Sequence, residues 1–329
     1  MLLLSKNDIR AVVTMRDMIE ADKLAFRMKE SGQIASPLRA SIPAEGDGVF
    51  LFMPSYAPGL EAAALKVVNV FPGNREKGLM TIPAQVLLFD GATGYALALL
   101  DGPTVTQLRT GAVSGAAFDL LARRDCRKGA LFGTGAEAAD QLEAMLTART
   151  LEEVSIYSPN PAHCAAFTRR MERELARYGV PLRAAESPEA CIEDADLIIT
   201  ATSSAVPVFD GSRVKPGATV SCIGTFEPDK QELDPALLPR ASKIICDSKE
   251  AVLSESGDLL LPIRDGLITP EDIAGSLGDV LNGTIPGRET DDEIIVFKSV
   301  GIAAQDLAAA KVIYDKAISA GVGLRWSSD

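Results

Sequence analysis

The chain has 329 residues, enough for about two domains, and its 47% hydrophobic and 24% charged content is ordinary for a globular protein. Lys and Arg number 33 against 45 Asp and Glu, a net charge of −12, which argues against nucleic acid and anionic membranes as partners. The single histidine, His163, excludes clustered His metal sites and argues against a Ser-His-Asp triad, so no metal is expected.

Residues 5–31 are predicted helical. Ser5 with Asp8, and Thr14 with Asp17, have the spacing of two N-terminal caps; Met18, Ala21, Ala25 and Met28 follow at helical spacing, and Gly32 ends the pattern. Strands are predicted over 49–53, 64–71, 82–89 and 95–100, punctuated by Pro54, Pro58-Gly59, Pro72-Gly73 and Asp90-Gly91. No helix separates them, so they should form an antiparallel or mixed sheet. A helix over 104–123 closes this region.

At Lys128 the rhythm changes. Strands over 129–132, 154–157, 182–185, 197–201, 218–223 and 243–246 are interleaved with helices after 138 and over 161–178, the pattern of a parallel, doubly wound sheet. Continuous apolar runs such as Leu197-Ile198-Ile199 suit strands covered on both faces. A further strand-like segment spans 294–301, and a last helix spans 303–319. Its apolar face, with Ile302, Leu307, Ala310 and Ile313, is expected to return to the first domain. The predicted division is 1–125 with 302–329, and 126–301.

No apolar run approaches 18 residues, and Met1-Leu2-Leu3-Leu4 turns polar too soon for a signal peptide, so neither a membrane span nor a leader is expected. The cysteines at 126, 164, 191, 222 and 246 are never closer than 24 positions, which fits a reducing, cytoplasmic compartment and no disulfide framework.

Gly133, Gly135 and Ala138 fit the G-x-G-x-x-A fingerprint of dinucleotide binding, with Thr134, Ala136 and Glu137 completing the turn. The first Gly makes the turn, the second lets backbone approach a pyrophosphate, and the helix N-terminus receives it. A purely structural strand-to-helix turn is the alternative. Ser158-Pro159-Asn160 stands where an acid would select NAD, and no Arg or Lys stands there to clasp a 2′-phosphate. This predicts a tolerant NAD(P)(H) site leaning to NADP(H). Thr200-Ala201-Thr202-Ser203 ends the fourth strand, where hydroxyls either contact a ribose or merely close the strand.

Arg39 follows Pro37-Leu38, Lys66 interrupts the apolar run 62–71, and Arg109 lies in Leu108-Arg109-Thr110-Gly111-Ala112. Taken singly, Lys66 and Arg109 read more readily as residues of a solvated face. Three stretches change that reading: Lys66-Val67-Val68-Asn69-Val70-Phe71-Pro72; Asp101-Gly102 leading to Arg109-Thr110-Gly111-Ala112; and Gly133 to Ala138. In that order and spacing the chain resembles the ornithine cyclodeaminase and mu-crystallin family, with further matches at Gly224–Leu233 and Lys298–Gly301.

The resemblance implies an α/β fold: a Rossmann domain with a doubly wound parallel sheet, inserted into an α+β substrate and dimerisation domain. It implies a homodimer, a nicotinamide dinucleotide, and a small α-amino, α-imino or α-keto acid as substrate. Arg39, Lys66 and Arg109 stand where the family holds the substrate carboxylate. Met53, in Leu51-Phe52-Met53-Pro54, stands near the substrate, and Thr110 stands where the cofactor phosphates are met. Gly224 and Ser299, in the further matching segments, are assigned to the cofactor side. One departure stands out. The cyclodeaminase and archaeal alanine dehydrogenase branches carry a catalytic Asp two residues before the Pro of the loop Gly224-Thr225-Phe226-Glu227-Pro228, and here that position is Phe226, with Glu227 one residue out of register.

The chemistry agrees with the placement. Guanidinium groups bind a carboxylate bidentately, and a Lys buried beside them loses basicity and becomes a proton donor or relay. The expected activity is NAD(P)H-dependent reduction of a small cyclic or linear α-imino acid, such as a pyrroline- or piperideine-carboxylate. The alternatives are ornithine cyclodeamination, amino-acid dehydrogenation, and non-catalytic ligand binding.

Overall fold

In the computed structural model, which describes residues 1–327, a short strand β1 (Leu2–Leu4) precedes two helices that begin where their caps dictate. Ser5 and Asp8 form a capping box ahead of α1 (Lys6–Val12), and Thr14 and Asp17 form another ahead of α2 (Met15–Glu30). Five strands follow: β2 (Ala40–Pro43), β3 (Val49–Ala57), β4 (Ala62–Val70), β5 (Ala84–Asp90) and β6 (Ala96–Asp101). Strand β3 runs through Pro54 rather than stopping there. Tyr56 N donates to Ala35 O, so position 54, two residues earlier, faces the same side, and β2 has already ended at the Ala40–Phe52 pair. The missing N–H of Pro54 therefore leaves no ladder bond unmade. Helix α3 (Gly102–Leu121) comes next.

The following elements alternate: β7 (Lys128–Phe132), α4 (Ala138–Ala148), β8 (Glu153–Tyr157), α5 (Pro161–Glu174), β9 (Leu182–Ala184), α6 (Pro188–Ile192) and β10 (Leu197–Thr200). Then come β11 (Thr219–Cys222), β12 (Lys243–Cys246), α7 (Lys249–Glu255), α8 (Gly257–Arg264), β13 (Ile273–Ser276), α9 (Leu277–Asn282) and β14 (Ile295–Lys298). Among the described residues they form one parallel eight-stranded sheet, ordered β13-β12-β14-β11-β10-β7-β8-β9. Strands β10, β11 and β14 are buried at every position, which suits the apolar runs Leu197-Ile198-Ile199 of β10 and Ile295-Val296-Phe297 of β14. The strand order reverses between β7 and β10. In such sheets a ligand lies at the carboxyl ends of the strands flanking that point.

The chain ends with α10 (Ala303–Ala320) and β15 (Leu324–Arg325). It divides into two compact units: Met1–Arg109 with Gly301 onward, and Thr110–Val300, the division falling inside α3. In the first unit α10 packs on α1, α2 and strands β3 to β5, burying Ile302, Leu307, Ala310 and Ile313. The sheet beneath it is ordered β15-β1-β6-β5-β4-β3-β2, and it is mixed because β1 and β6 are parallel while the other pairs are antiparallel.

Register sorts this sheet into two faces. Leu4, Leu100, Val86, Lys66 and Met53 lie side by side across five strands, all buried, so Lys66 lies in an apolar row. The alternate row, Leu3, Leu99, Leu87, Leu65 and Pro54, is equally apolar but stays partly or fully exposed. No helix among the described residues is long and apolar enough to cross a membrane.

Candidate active site

The inner row of the first sheet puts Lys66 where an ammonium is costly, only 1% exposed between Met53 and Val86. Its partner comes from α10. Lys66 Nζ lies 2.9 Å from Asp306 Oδ1 and 2.8 Å from Oδ2, and Arg109 Nε lies 3.3 Å from Oδ1. One buried carboxylate thus faces two cations. Arg39 completes the group, its Nη2 donating to Gly301 O at 3.2 Å. Gly301 has φ +80°, and a Cβ there would run into the Arg109 guanidinium, so glycine is what lets that side chain lie flat against the turn. Met53, next to Lys66 across β3 and β4, is buried beside the group.

Burial first, and the Arg109 guanidinium second, bring the Lys66 ammonium down from 10.5 to about 8; Asp306 pulls it up and Arg39 pushes it further down. The amine is therefore mostly charged at pH 7 yet close enough to neutrality to part with a proton. The two terminal nitrogens of Arg109 make no hydrogen bond among the described residues, which leaves a planar fork of N–H groups for an added carboxylate.

The second unit holds a cleft of about 570 Å³ at the switch point of its sheet. One wall is Phe132 to Gly135, directly after β7; another is Ser158-Pro159 after β8; a third is Ala201 to Ser204 after β10, continued by Val206 to Val208. Gly133 has φ +109°, and a Cβ on it would strike the Ala201 carbonyl. At Gly135 a Cβ would meet no protein atom and would instead occupy the cleft mouth, the space a diphosphate needs. The turn thus fits a dinucleotide, and Gly133, Thr134, Gly135, Ser158, Ala201 and Thr202 are the lining residues that would hold one. None of the lining residues is charged.

The other predicted cofactor residues lie off this cleft lining. Ala136 is exposed and Glu137 precedes α4. Asn160 caps α5, its Oδ1 accepting from His163 N at 3.0 Å. The Thr110 carbonyl accepts from Gln141 Nε2 at 2.7 Å. Thr200 is fully buried, and its hydroxyl donates to Glu232 Oε1 at 2.7 Å, so it closes the strand. Gly224 N donates to the same oxygen at 2.6 Å, while Ser299 Oγ donates to Asp247 Oδ2 at 2.7 Å.

Two residues absent from the sequence reading organise these surroundings. Asp306 is one. Glu232 is the other: fully buried, it accepts from Thr200, Gly224 and, at 3.0 and 2.9 Å, Thr202 N and Oγ1, so one carboxylate ties together the ends of β10 and β11. Burial pushes its carboxyl up, against the pull of Lys298. Lys298 itself pairs with Asp258 at 2.7 Å and donates to Thr225 O at 2.8 Å.

With this geometry in view, the sequence matches the model of the ornithine cyclodeaminase/mu-crystallin family over residues 1–321. The chain belongs to this family. It is 39% identical over 326 residues to the Δ(1)-pyrroline-2-carboxylate reductase of Bacillus cereus, with 99% of each chain covered. The solved structure of Thermococcus litoralis Δ(1)-pyrroline-2-carboxylate reductase in complex with NADH and L-proline is 38% identical, with a TM-score of 0.93 over 99% of this chain and 100% of that one. An archaeal alanine dehydrogenase dimer with bound NAD is 33% identical, with a TM-score of 0.90 over 100% of this chain and 99% of that one.

The loop after β11 holds the position at which the resemblance leads one to expect an Asp. Phe226 is 40% exposed. Glu227, one residue on, holds Lys230 Nζ at 2.6 Å in a half-exposed i,i+3 pair. No carboxylate occupies the position at which the cyclodeaminase branch carries its Asp.

Proposed function

We propose that the chain is an NAD(P)H-dependent reductase of a small cyclic α-imino acid, of the Δ(1)-pyrroline-2-carboxylate type. The observation that carries the reading is the buried Lys66–Asp306–Arg109 group, with the Arg109 fork unused and an ammonium near pH 8 beside it. Arg109 and Arg39 orient the substrate carboxylate, which fixes the adjacent C=N relative to Lys66. Lys66 gives its proton to the imine nitrogen as the carbon becomes tetrahedral. Bound NAD(P)H supplies the hydride. The burial of Lys66 and Met53 keeps bulk water from competing for that proton.

Reduction of an imine needs one proton donor, which Lys66 supplies. Cyclodeamination also needs a base to free an amine with a pKa near 10. Phe226 cannot act as that base, and Glu227 is held by Lys230. The uncharged cleft, with Ser158 at its ribose end, neither repels a 2′-phosphate nor grips it, which supports use of both dinucleotides; the lean to NADP(H) rests on Ser158 standing where an acid would select NAD. The half-buried apolar row Leu3-Leu99-Leu87-Leu65, with exposed Pro54 at its end, supports a homodimer closed through that sheet face, as does the dimeric relative. The five cysteines are free and buried, which supports a cytoplasmic setting.

Absorbance at 340 nm with a substrate panel tests the reading. Δ(1)-Pyrroline-2-carboxylate should drive oxidation of both NADH and NADPH, with a preference below about a hundredfold, a gap of under roughly 3 kcal/mol. Ornithine turnover at a rate comparable to imine reduction would favour the cyclodeaminase reading, and tight ligand binding with no turnover would favour a storage role.

A further inference from the structure

We propose that Asp306 is a positioning residue, the built-in counter-anion that holds Lys66 as an aimed ammonium until the substrate carboxylate arrives. The proposal rests on the imino-acid reading above and assigns a role to a residue that reading does not require.

The geometry is specific. Asp306 is 1% exposed and reaches Lys66 with both oxygens, while Arg109 meets one of the same oxygens from α3. The other groups facing Lys66 are cationic: Arg109 from α3 and Arg39 from the segment before β2. The next polar residue on α10, Gln305, donates to Asp22 Oδ2 of α2 at 3.0 Å, and that is the other buried carboxylate of this layer. Three cations and one anion leave the contact group at 3 − 1 = +2. A substrate monocarboxylate lowers it to +1. When an N–H bond breaks at Lys66 Nζ and one forms at the imine nitrogen the total stays at +1, now carried by an iminium, and the hydride that bound NAD(P)H supplies to the adjacent carbon brings the group, with its neutral lysine amine, to zero. Without Asp306 the two buried cations and the partly buried Arg39 would repel one another, and Lys66, the one of the three that titrates readily, would shed its proton before substrate bound.

Calorimetric binding of pyrrole-2-carboxylate, a planar acid that mimics the imine, tests this from pH 6 to 9 without requiring turnover. In the unaltered protein affinity should weaken above pH about 8. In Asp306→Asn the same weakening should begin more than about one pH unit lower, so that affinity is reduced about threefold or more at pH 7.5 and nearly equal to that of the unaltered protein at pH 6. A second measurement needs no variant. In buffers of differing ionisation enthalpy, binding should take up essentially no proton at pH 7 and most of one at about pH 8.5. An Asp306→Asn profile with an unmoved midpoint, or uptake of a full proton at pH 7, overturns the proposal. Failure of every form to bind the acid at any pH overturns the substrate reading, and this proposal falls with it.

Discussion

Replacement of Lys66 by Met is expected to lower kcat for imine reduction by about 10²–10⁴, the usual worth of a placed proton donor. The substitution is close to isosteric and suits the row between Met53 and Val86, so the fold should persist. Asp306 keeps Arg109 as a partner, which limits the cost of the unpaired charge. The effect should fall on kcat more than on KM, because Arg109 and Arg39 still grip the carboxylate. The pH profile supplies the sign. Lys66 donates only when protonated, and its value in the substrate-free protein is about 8, so the wild-type kcat/KM should hold level below pH 7 and fall about tenfold per unit well above pH 8. The Met variant should lack that falling limb. Steady-state rates from pH 6 to 10 on both proteins check this.

Replacement of Arg109 by Leu should act differently. It removes a charge-assisted, bidentate contact worth roughly 1.5–3 kcal/mol and loosens the alignment of the C=N bond as well, so kcat/KM should fall by about 10²–10³, with KM carrying a large share. Asp306 then faces Lys66 alone, so Lys66 loses a cationic neighbour and its value should rise, moving the alkaline limb to higher pH. Dinucleotide affinity, measured by fluorescence titration, should change less than about threefold, since Arg109 is proposed to grip the substrate carboxylate and not the cofactor. A parallel collapse of cofactor binding would mark Arg109 as structural.

Much of this site was legible in the sequence, for identifiable reasons. The capping boxes at Ser5 and Thr14 and the Gly133–Ala138 turn are local chemistry, and local chemistry survives folding. Lys66, Arg39 and Arg109 could be joined only through their order along the chain, because spacing alone cannot tell a buried lysine in a strand from a solvated one. Asp306 was missed because a lone acid on a helix ordinarily faces water. Its signal was composition: Gln305-Asp306 interrupts an otherwise apolar run, 302–310, on a helix buried on nearly all sides at that end. Glu232 was missed for a related reason. Lys298 ends a fully buried apolar strand, and such a cation requires acids nearby, but its partners Asp258 and Glu232 lie far off in sequence. Strands β2, β13 and β15 are short and weakly apolar, so they owe their existence to neighbours already in place. The hydroxyl of Thr200 illustrates the converse error, since a position at a strand end does not reveal which way a side chain is already bonded.

Reduction of Δ(1)-pyrroline-2-carboxylate with a dinucleotide carrying deuterium at the transferable C4 position tests the proposed activity most directly. Mass spectrometry and NMR should find proline with a single deuterium at Cα, formed in step with the cofactor consumed, while ornithine under the same conditions yields no comparable proline or ammonia. Proline free of label, or ornithine converted to proline and ammonia as fast as the imine is reduced, would contradict the assignment of an imine reductase.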